Sequence, residues 1–183
     1  MHKIIVITGT PGTGKTTLAK NLGRSMEGAT VINVNSIVKS EKLFTGYDEY
    51  GTMIADMDAL EKRISIMIKH TKGIVIIEGH LLCDIKVSGA IAIVLRCHLK
   101  DLEKRLKKRG YSSSKLRDNI IAQALDYCGT MASSNYVHMY EIMGGKQQML
   151  KNAMHIINNK GENRAIELSE ELLDIIKNRG VTA

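Results

Sequence analysis

Short runs of β-branched and other apolar residues alternate along this chain with longer segments whose apolar positions recur every three or four residues. Ile4 to Thr8 reads as a buried strand, and Thr17 onward as a helix with Leu18 and Leu22 on one face. Thr30-Val31-Ile32-Asn33-Val34 predicts a second strand. Leu60, Ile64, Met67 and Ile68 predict a helix that starts with a capping box at Asp58-x-x-Glu61. Ile74 to Ile77 and Ala90 to Leu95 are apolar throughout, as strands covered on both faces should be. Leu99, Leu102 and Leu106 mark a further helix, and Leu116, Ile120, Ala124 and Leu125 another. Met154-His155-Ile156-Ile157 is expected to form the last strand, and Ile166 to Ile176 an amphipathic closing helix. The pattern predicts an α/β fold, a five-stranded parallel sheet with helices on both faces, in a single domain spanning residues 1–183. In such sheets the ligand lies beyond the carboxyl ends of the strands.

The first of those ends carries Gly9-Thr10-Pro11-Gly12-Thr13-Gly14-Lys15-Thr16, which matches the phosphate-binding P-loop pattern in its required place between a strand and a helix. Glycines at 12 and 14 let backbone N–H groups, with that of Thr13 between them, curl around phosphates. A side chain at either would crowd the path. The helix that starts near Lys15 adds unpaired N–H groups and the positive end of its dipole. Lys15 is expected between the β- and γ-phosphates of ATP, Thr16 on Mg²⁺, and Thr17 on a further phosphate.

The third strand ends in Glu78-Gly79-His80. A carboxylate directly after a buried strand is the usual second holder of hydrated Mg²⁺, which makes Glu78 the metal partner of Thr16. Gly79 is expected to let the chain turn closely past a ligand. His80 either binds an acceptor's phosphate, positions an attacking water, or is structural.

Charge adds a second region. Arg96 to Arg117 holds nine Lys or Arg residues against two acids, so its net charge of +7 equals that of the whole chain. Such a segment is either a solvated basic helix face or the seat of an anionic partner, nucleotide or RNA. Arg105 and Arg109 are four apart and share a helix face, and Gly110 to Ser114 reads as a mobile connection. A basic, glycine-hinged excursion of this kind suits a lid that closes over triphosphate, excludes water and stabilises charge on the transferring phosphoryl group. Lys104, Lys107 and Lys108 are expected to face solvent or another anion. Residues 35–58 carry little strand signal but hold Lys39, the only Phe (Phe44) and two Tyr (Tyr47, Tyr50). They read either as an acceptor-binding insertion, with Lys39 on its phosphate, or as a small satellite core. Tyr47-Asp48-Glu49-Tyr50 is too acidic for a phosphate grip.

The three cysteines, Cys83, Cys97 and Cys128, are odd in number and lack metal-ligand spacing, so buried reduced thiols are expected. No apolar run approaches the ~20 residues that cross a bilayer, and a cytoplasmic location is expected. Nothing in the sequence demands more than a monomer.

The residues Gly9 to Thr17, Gly46-Tyr47-Asp48-Glu49, Val94-Leu95-Arg96, Arg105-Leu106-x-x-Arg109-Gly110-Tyr111 and Asp118-Asn119-Ile120 together resemble the adenylate kinase isoenzyme 6 family. That group includes the coilin-interacting nuclear ATPase and archaeal relatives. The resemblance covers residues 3–128 well and the rest more loosely. It implies a P-loop NTPase of adenylate kinase type, with an acceptor (NMP) region about 33–56 and a lid about 108–118. It implies transfer from ATP to AMP with weaker ATPase activity, and a role in maturation of small-subunit ribosomal RNA through a ribosomal protein. Matching positions make Gly12, Gly14, Lys15, Thr16, Thr17 and Arg109 contacts of ATP, with Lys160, in the turn after the last strand, near its base. AMP would meet Lys39 and His80. Two departures stand out: Glu78 occupies a place where relatives often carry Asp, and the Met-rich stretch from Thr130 to Asn152 is longer than expected.

An ionised phosphate acceptor needs no strong general base, and none is evident, so Lys15, Arg109 and His80 are the candidate catalytic groups of a kinase. The alternative is an ATP-driven assembly factor whose ATPase, acting on a ribosomal protein or RNA, is the main function.

Overall fold

Alternation along each central strand sends side chains into two separate apolar layers. Val6, Val75, Ile77, Ala92 and Val94 enter one core, and Ile5, Ile7, Ile76, Ile93 and Leu95 enter the other. The computed structural model describes residues 3–158, 166–168, 170–171 and 173–174. Its strands are β1 (Lys3–Thr8), β2 (Thr30–Asn33), β5 (Ile74–Glu78), β6 (Ala90–Arg96) and β7 (His138–Met143) in one parallel sheet of order β2-β5-β1-β6-β7. The strands β3 (Phe44–Tyr47) and β4 (Met53–Ala55) form a separate antiparallel hairpin. The expected five-stranded parallel sheet with helices on both faces is the fold observed.

One face is covered by α1 (Lys15–Ser25) and α7 (Lys146–Ile157), through Leu18, Leu22, Met149 and Ile156. The other is covered by α2 (Val34–Ser40), α3 (Met57–His70) and α6 (Tyr127–Asn135), through Ile37, Leu60, Ile64 and Ala132. The helices α4 (Leu99–Lys108) and α5 (Ser113–Ala124) make a small core of their own from Leu102, Leu106, Leu116 and Ile120. Burying such a side chain contributes about 1.5–3 kcal/mol, so the pair holds together as a unit at the edge of the sheet. Among the described residues no helix is long and apolar enough to cross a membrane.

Several expectations are corrected. Met154 to Ile157 is the last turn of α7 and not a strand. The fifth strand is His138–Met143, inside the Met-rich stretch, which therefore supplies an ordinary strand and helix. Helix α3 is capped by Asp56, whose side chain accepts from the Ala59 N–H at 3.0 Å, so the box at Asp58 and Glu61 does not form. The connection after α4 is short, because Ser112 caps α5 and Ser113 and Ser114 are already helical. Of the expected closing helix, 166–168 are not helical, residues 170, 171, 173 and 174 are, and the others lie outside the described residues.

Arg96 also changes its meaning. It is 1% exposed at the end of β6, paired with Asp126 and, at 4.0 Å, with Glu141. Its guanidinium donates to the carbonyls of Gln123 (2.9 Å) and Ile166 (3.3 Å), so one of the nine basic residues is core.

Candidate active site

The phosphate loop runs from the carboxyl end of β1 into α1. Gly9 adopts φ +130°, and a Cβ there would lie 2.5 Å from the Leu95 carbonyl oxygen, so only glycine lets β1 leave the sheet this close to β6. At Gly12 (φ +96°) a Cβ would meet Leu102 Cδ1 at 2.8 Å, so the crowding there comes from α4. Gly14 opens α1 with no side-chain cap, which leaves its first N–H groups for an anion. Thr13 turns inward, its hydroxyl donating to the Thr10 carbonyl at 2.9 Å.

Lys15 is buried, and its ammonium donates to the carbonyls of Gly9 (2.7 Å) and Thr10 (3.1 Å). Burial lowers its pKa to about 8; the Glu78 charge works in the opposite direction and Arg109 adds to the lowering. The Thr16 hydroxyl donates to Glu78 Oε1 at 2.9 Å, and Asn33 donates to the same oxygen. Glu78, 2% exposed, therefore aims its carboxylate at the start of α1. Gly79 is packed against Val34, where a Cβ would lie 2.7 Å from that side chain's Cβ, so its smallness serves α2 and not a ligand.

Beyond these groups lies a cavity of about 490 Å³ that three parts of the chain enclose. Lys15, Thr16, Thr17 and Glu78 form its floor. Asn35, Asp48, Tyr50 and Thr52 come from the segment holding α2 and the hairpin, and Arg109, Tyr111, Lys115 and Asp118 from the α4–α5 unit. The hairpin and α5 touch each other. Tyr50 donates to Asp118 Oδ2 at 2.7 Å, and Lys115 donates to the Thr52 hydroxyl. The Lys115 ammonium also sits 5.0 Å from the Tyr111 ring centre and 5.7 Å from that of Tyr50, within cation–π range. Asp48 does line the cavity, but its carboxylate is engaged by the N–H groups of Tyr50 (2.8 Å) and Thr52 (2.7 Å), closing the hairpin turn.

His80 is half-buried on the cavity wall, in the 3-10 turn His80–Cys83. Desolvation, helped by the Lys15 charge, lowers its pKa to about 4, so the ring is neutral at pH 7. The buried thiols of Cys83 and Cys128 meet on the same wall at 3.5 Å.

A second cavity, of about 250 Å³, lies across the loop. It is bordered by Thr13, Thr17 and Asn21 on one side and by Gly144, Gly145 and Lys146 on the other, with Arg105 and Arg109 above. Arg109 borders both cavities, while Arg105 also donates to the Gly12 carbonyl at 3.2 Å, tying α4 to the loop. The turn after the last strand is thus Gly144-Gly145; Lys160 lies outside the described residues. Lys39 is exposed in the last turn of α2 and borders neither cavity.

The structure brings together Gly12, Gly14, Lys15, Thr16, Thr17, Glu78, His80 and Arg109 beyond the carboxyl ends of β1 and β5, with Thr13 on the second cavity. Sequence reasoning missed Asn33, Thr52, Asp118 and the thiol pair. A signal existed for Asn33, the polar residue that ends a buried strand as Glu78 does.

The AAA domain family matches residues 5–126. A protein of Methanosarcina barkeri named "Putative adenylate kinase" is 42% identical over 125 residues, 67% of this chain and 66% of that protein. A relative of the same name from Methanocaldococcus jannaschii is 41% identical, covering 68% of each chain. One from Pyrococcus furiosus is 31% identical over 85% of this chain and 84% of its own. The chain spans about two thirds of the length of the first two. Among solved structures, shikimate kinase from Bacteroides thetaiotaomicron superposes with a TM-score of 0.56 at 19% identity, covering 96% of this chain and 98% of its own. Thymidylate kinase from Candida albicans gives 0.57 at 15%, covering 91% and 96%. At those identities the likeness concerns the fold alone.

Proposed function

The chain belongs to the adenylate-kinase-like family of P-loop proteins, and we propose that it transfers the terminal phosphoryl group of ATP to AMP, giving two ADP. The observation that carries this reading is the three-sided cavity, in which the phosphate loop faces both a basic helical unit and a separate hairpin segment. A hydrolase needs room for water beside the triphosphate. A cavity of about 490 Å³ has room for an acceptor of nucleotide size as well. The name borne by the archaeal relatives supports AMP as that acceptor.

In this reading residues 33–56 are the acceptor region and 108–118 the lid. The N–H groups of the loop and of the start of α1 hold the phosphates, and Lys15 sits against their outer oxygens. Arg109, at the hinge between α4 and α5, reaches transferring charge from above. The donor base occupies the second cavity, against Gly144-Gly145-Lys146. His80, neutral at pH 7, offers a hydrogen bond and not a cation to the acceptor phosphate or a water. Lys39 does not border the cavity, and Lys115, which does, is the acceptor-side cation in this reading.

The residues present fit Mg²⁺. The Thr16 hydroxyl and Glu78 carboxylate are hard oxygen donors 2.9 Å apart at the mouth of the phosphate loop, a short protein ligand set of the kind this ion takes with nucleotide and water. When bound with ATP, Mg²⁺ neutralises charge on the β- and γ-oxygens. The chain's own contribution is position: Glu78 is buried and pinned, so its carboxylate does not reorganise when ATP arrives.

A second reading, within the isoenzyme 6 group, is an ATP-driven factor in small ribosomal subunit maturation, working on a ribosomal protein or RNA. Exposed Lys100, Lys104 and Lys108 on α4 favour it, since they face away from both cavities toward solvent. ADP and free phosphate formed from ATP, with and without AMP, separate the two. AMP-dependent ADP formation that far exceeds phosphate release is expected. Phosphate release indifferent to AMP and accelerated by a ribosomal partner would reverse the ranking.

A further inference from the structure

Asn33 ends β2 directly beside the residue that ends β5, Glu78, in parallel register. Both ends of its amide are in use. The NH₂ donates to Glu78 Oε1, the same oxygen that accepts from the Thr16 hydroxyl at 2.9 Å. The carbonyl oxygen accepts from the Ser36 N–H at 2.7 Å and the Ser36 hydroxyl at 2.8 Å, and so caps α2. These partners fix the orientation of the amide, because turning it over would set oxygen against carboxylate and NH₂ against N–H. A helix cap alone needs only an acceptor, which Ser, Thr and Asp supply as well as Asn. The donor half has a different destination, the carboxylate at the phosphate loop.

We propose that Asn33 is a positioning residue that holds Glu78 toward Thr16 and couples that carboxylate to α2, the first helix on the acceptor side of the cavity. The inference rests on the reading of Thr16 and Glu78 as the groups that meet the metal–nucleotide complex. Glu78 Oε1 accepts two hydrogen bonds from directions set by β2 and α1, which fixes the torsion of the carboxylate and leaves Oε2 without either of these donors. Without the amide donor, the buried carboxylate keeps Thr16 alone and rotates. Moving α2 then moves Asn33, and with it the carboxylate, so the geometry at the triphosphate is set from the acceptor side. The longer arm of Glu relative to Asp makes this second anchor more useful here, since it adds one more rotatable bond to be held.

Asn33→Ser tests the two halves separately, since one hydroxyl cannot span both Ser36 and Glu78 but retains the cap. ATP affinity is measured by calorimetry in EDTA and again with Mg²⁺, alongside the thermal midpoint, for the native protein, Asn33→Ser, Asn33→Thr and Glu78→Gln. Asn33→Ser is expected to stay folded with a midpoint lowered by a few degrees, and to keep its affinity for ATP in EDTA. Its Mg²⁺-linked gain in affinity should fall roughly five- to tenfold, the loss of one hydrogen bond to a charged group. Asn33→Thr, with the same cap, should behave alike and serves if the Ser variant does not fold. An unchanged Mg²⁺-linked gain in the Ser or Thr variant overturns the proposal. Glu78→Gln keeps the two failures apart: if it leaves the gain intact, the metal reading of Glu78 is what fails. No acceptor is present, so the outcome is independent of whether AMP is the substrate.

Discussion

The phenol of Tyr50 donates to the carboxylate of Asp118 across 2.7 Å, and so joins the β3–β4 hairpin to α5 beside the main cavity. The contact is exposed, and that hydrogen bond raises the phenol's pKa. An exposed hydrogen bond of this type contributes little to stability. Its consequence lies in closure. Tyr50→Phe and Asp118→Ala should melt within a few degrees of the native protein, yet let water reach the triphosphate more often. The ratio of free phosphate to AMP-dependent ADP should therefore rise several-fold; a ratio equal to the native one would show that the two segments do not gate water.

His80 makes stability depend on pH in the acid range. Its native pKa of about 4 lies below the ordinary 6.5, so the unfolded chain takes up a proton near 6.5 while the folded chain does so only near 4. Between those values the unfolded state binds more protons, and stability falls as pH falls, by up to about 3 kcal/mol. Urea midpoints taken from pH 7 to pH 4 should show this slope in the native protein and a flatter one in His80→Gln. Parallel slopes would remove His80 from the account. In turnover, His80→Ala should reduce phosphoryl transfer well beyond its effect on ATP affinity.

Lys15 acts at the other end of the scale. Its native pKa of about 8 lies below the ordinary 10.5, so between pH 8 and 10.5 the unfolded state again holds the extra proton. The stability of the protein without nucleotide should rise with pH across that window, again by up to about 3 kcal/mol. Lys15→Met should abolish the rise and lower turnover by about a hundredfold or more. Equal pH dependence in the two proteins would mean the burial of this ammonium has no cost.

Arg96 carries the largest structural prediction. Burial lowers its pKa, and two carboxylates and two carbonyls compensate the charge. Arg96→Met leaves Glu141 buried without its cation and frees the junction of α5 and α6. The expected loss is about 3–5 kcal/mol in denaturant unfolding. A change below about 1 kcal/mol would place the stabilising weight on the packing around it instead.

The sheet centre and the phosphate loop were legible because their signals are local: unbroken apolar runs, then glycines and Lys15 at set spacing. The last third was not. His138–Met143 hides its period of two because Glu141, on the inward side, is an acid held by Arg96, a partner 45 residues away. Met154, Ile156 and Ile157 are apolar because α7 ends against the sheet, with only exposed His155 between them, and so short a stretch has no period to distinguish strand from helix. The hairpin at 44–55 carries too little apolar surface to register, and its contact with α5 depends on Lys115 and Asp118, far along the chain. Arg96 looked like surface charge for the same reason, since its partners are assembled only by the fold.

Strand order also governs when the site comes into being. β1 pairs with β5 and β6, Lys3 facing Ile74 and Ile4 facing Ala90, and with no strand nearer in the chain. β1 therefore waits for partners that are made about ten seconds later at ordinary rates of synthesis. A nascent chain can display the whole glycine motif and still have no surface on which to shape it. The nucleotide grip is thus set when β5 and β6 are made, and not when its own motif is.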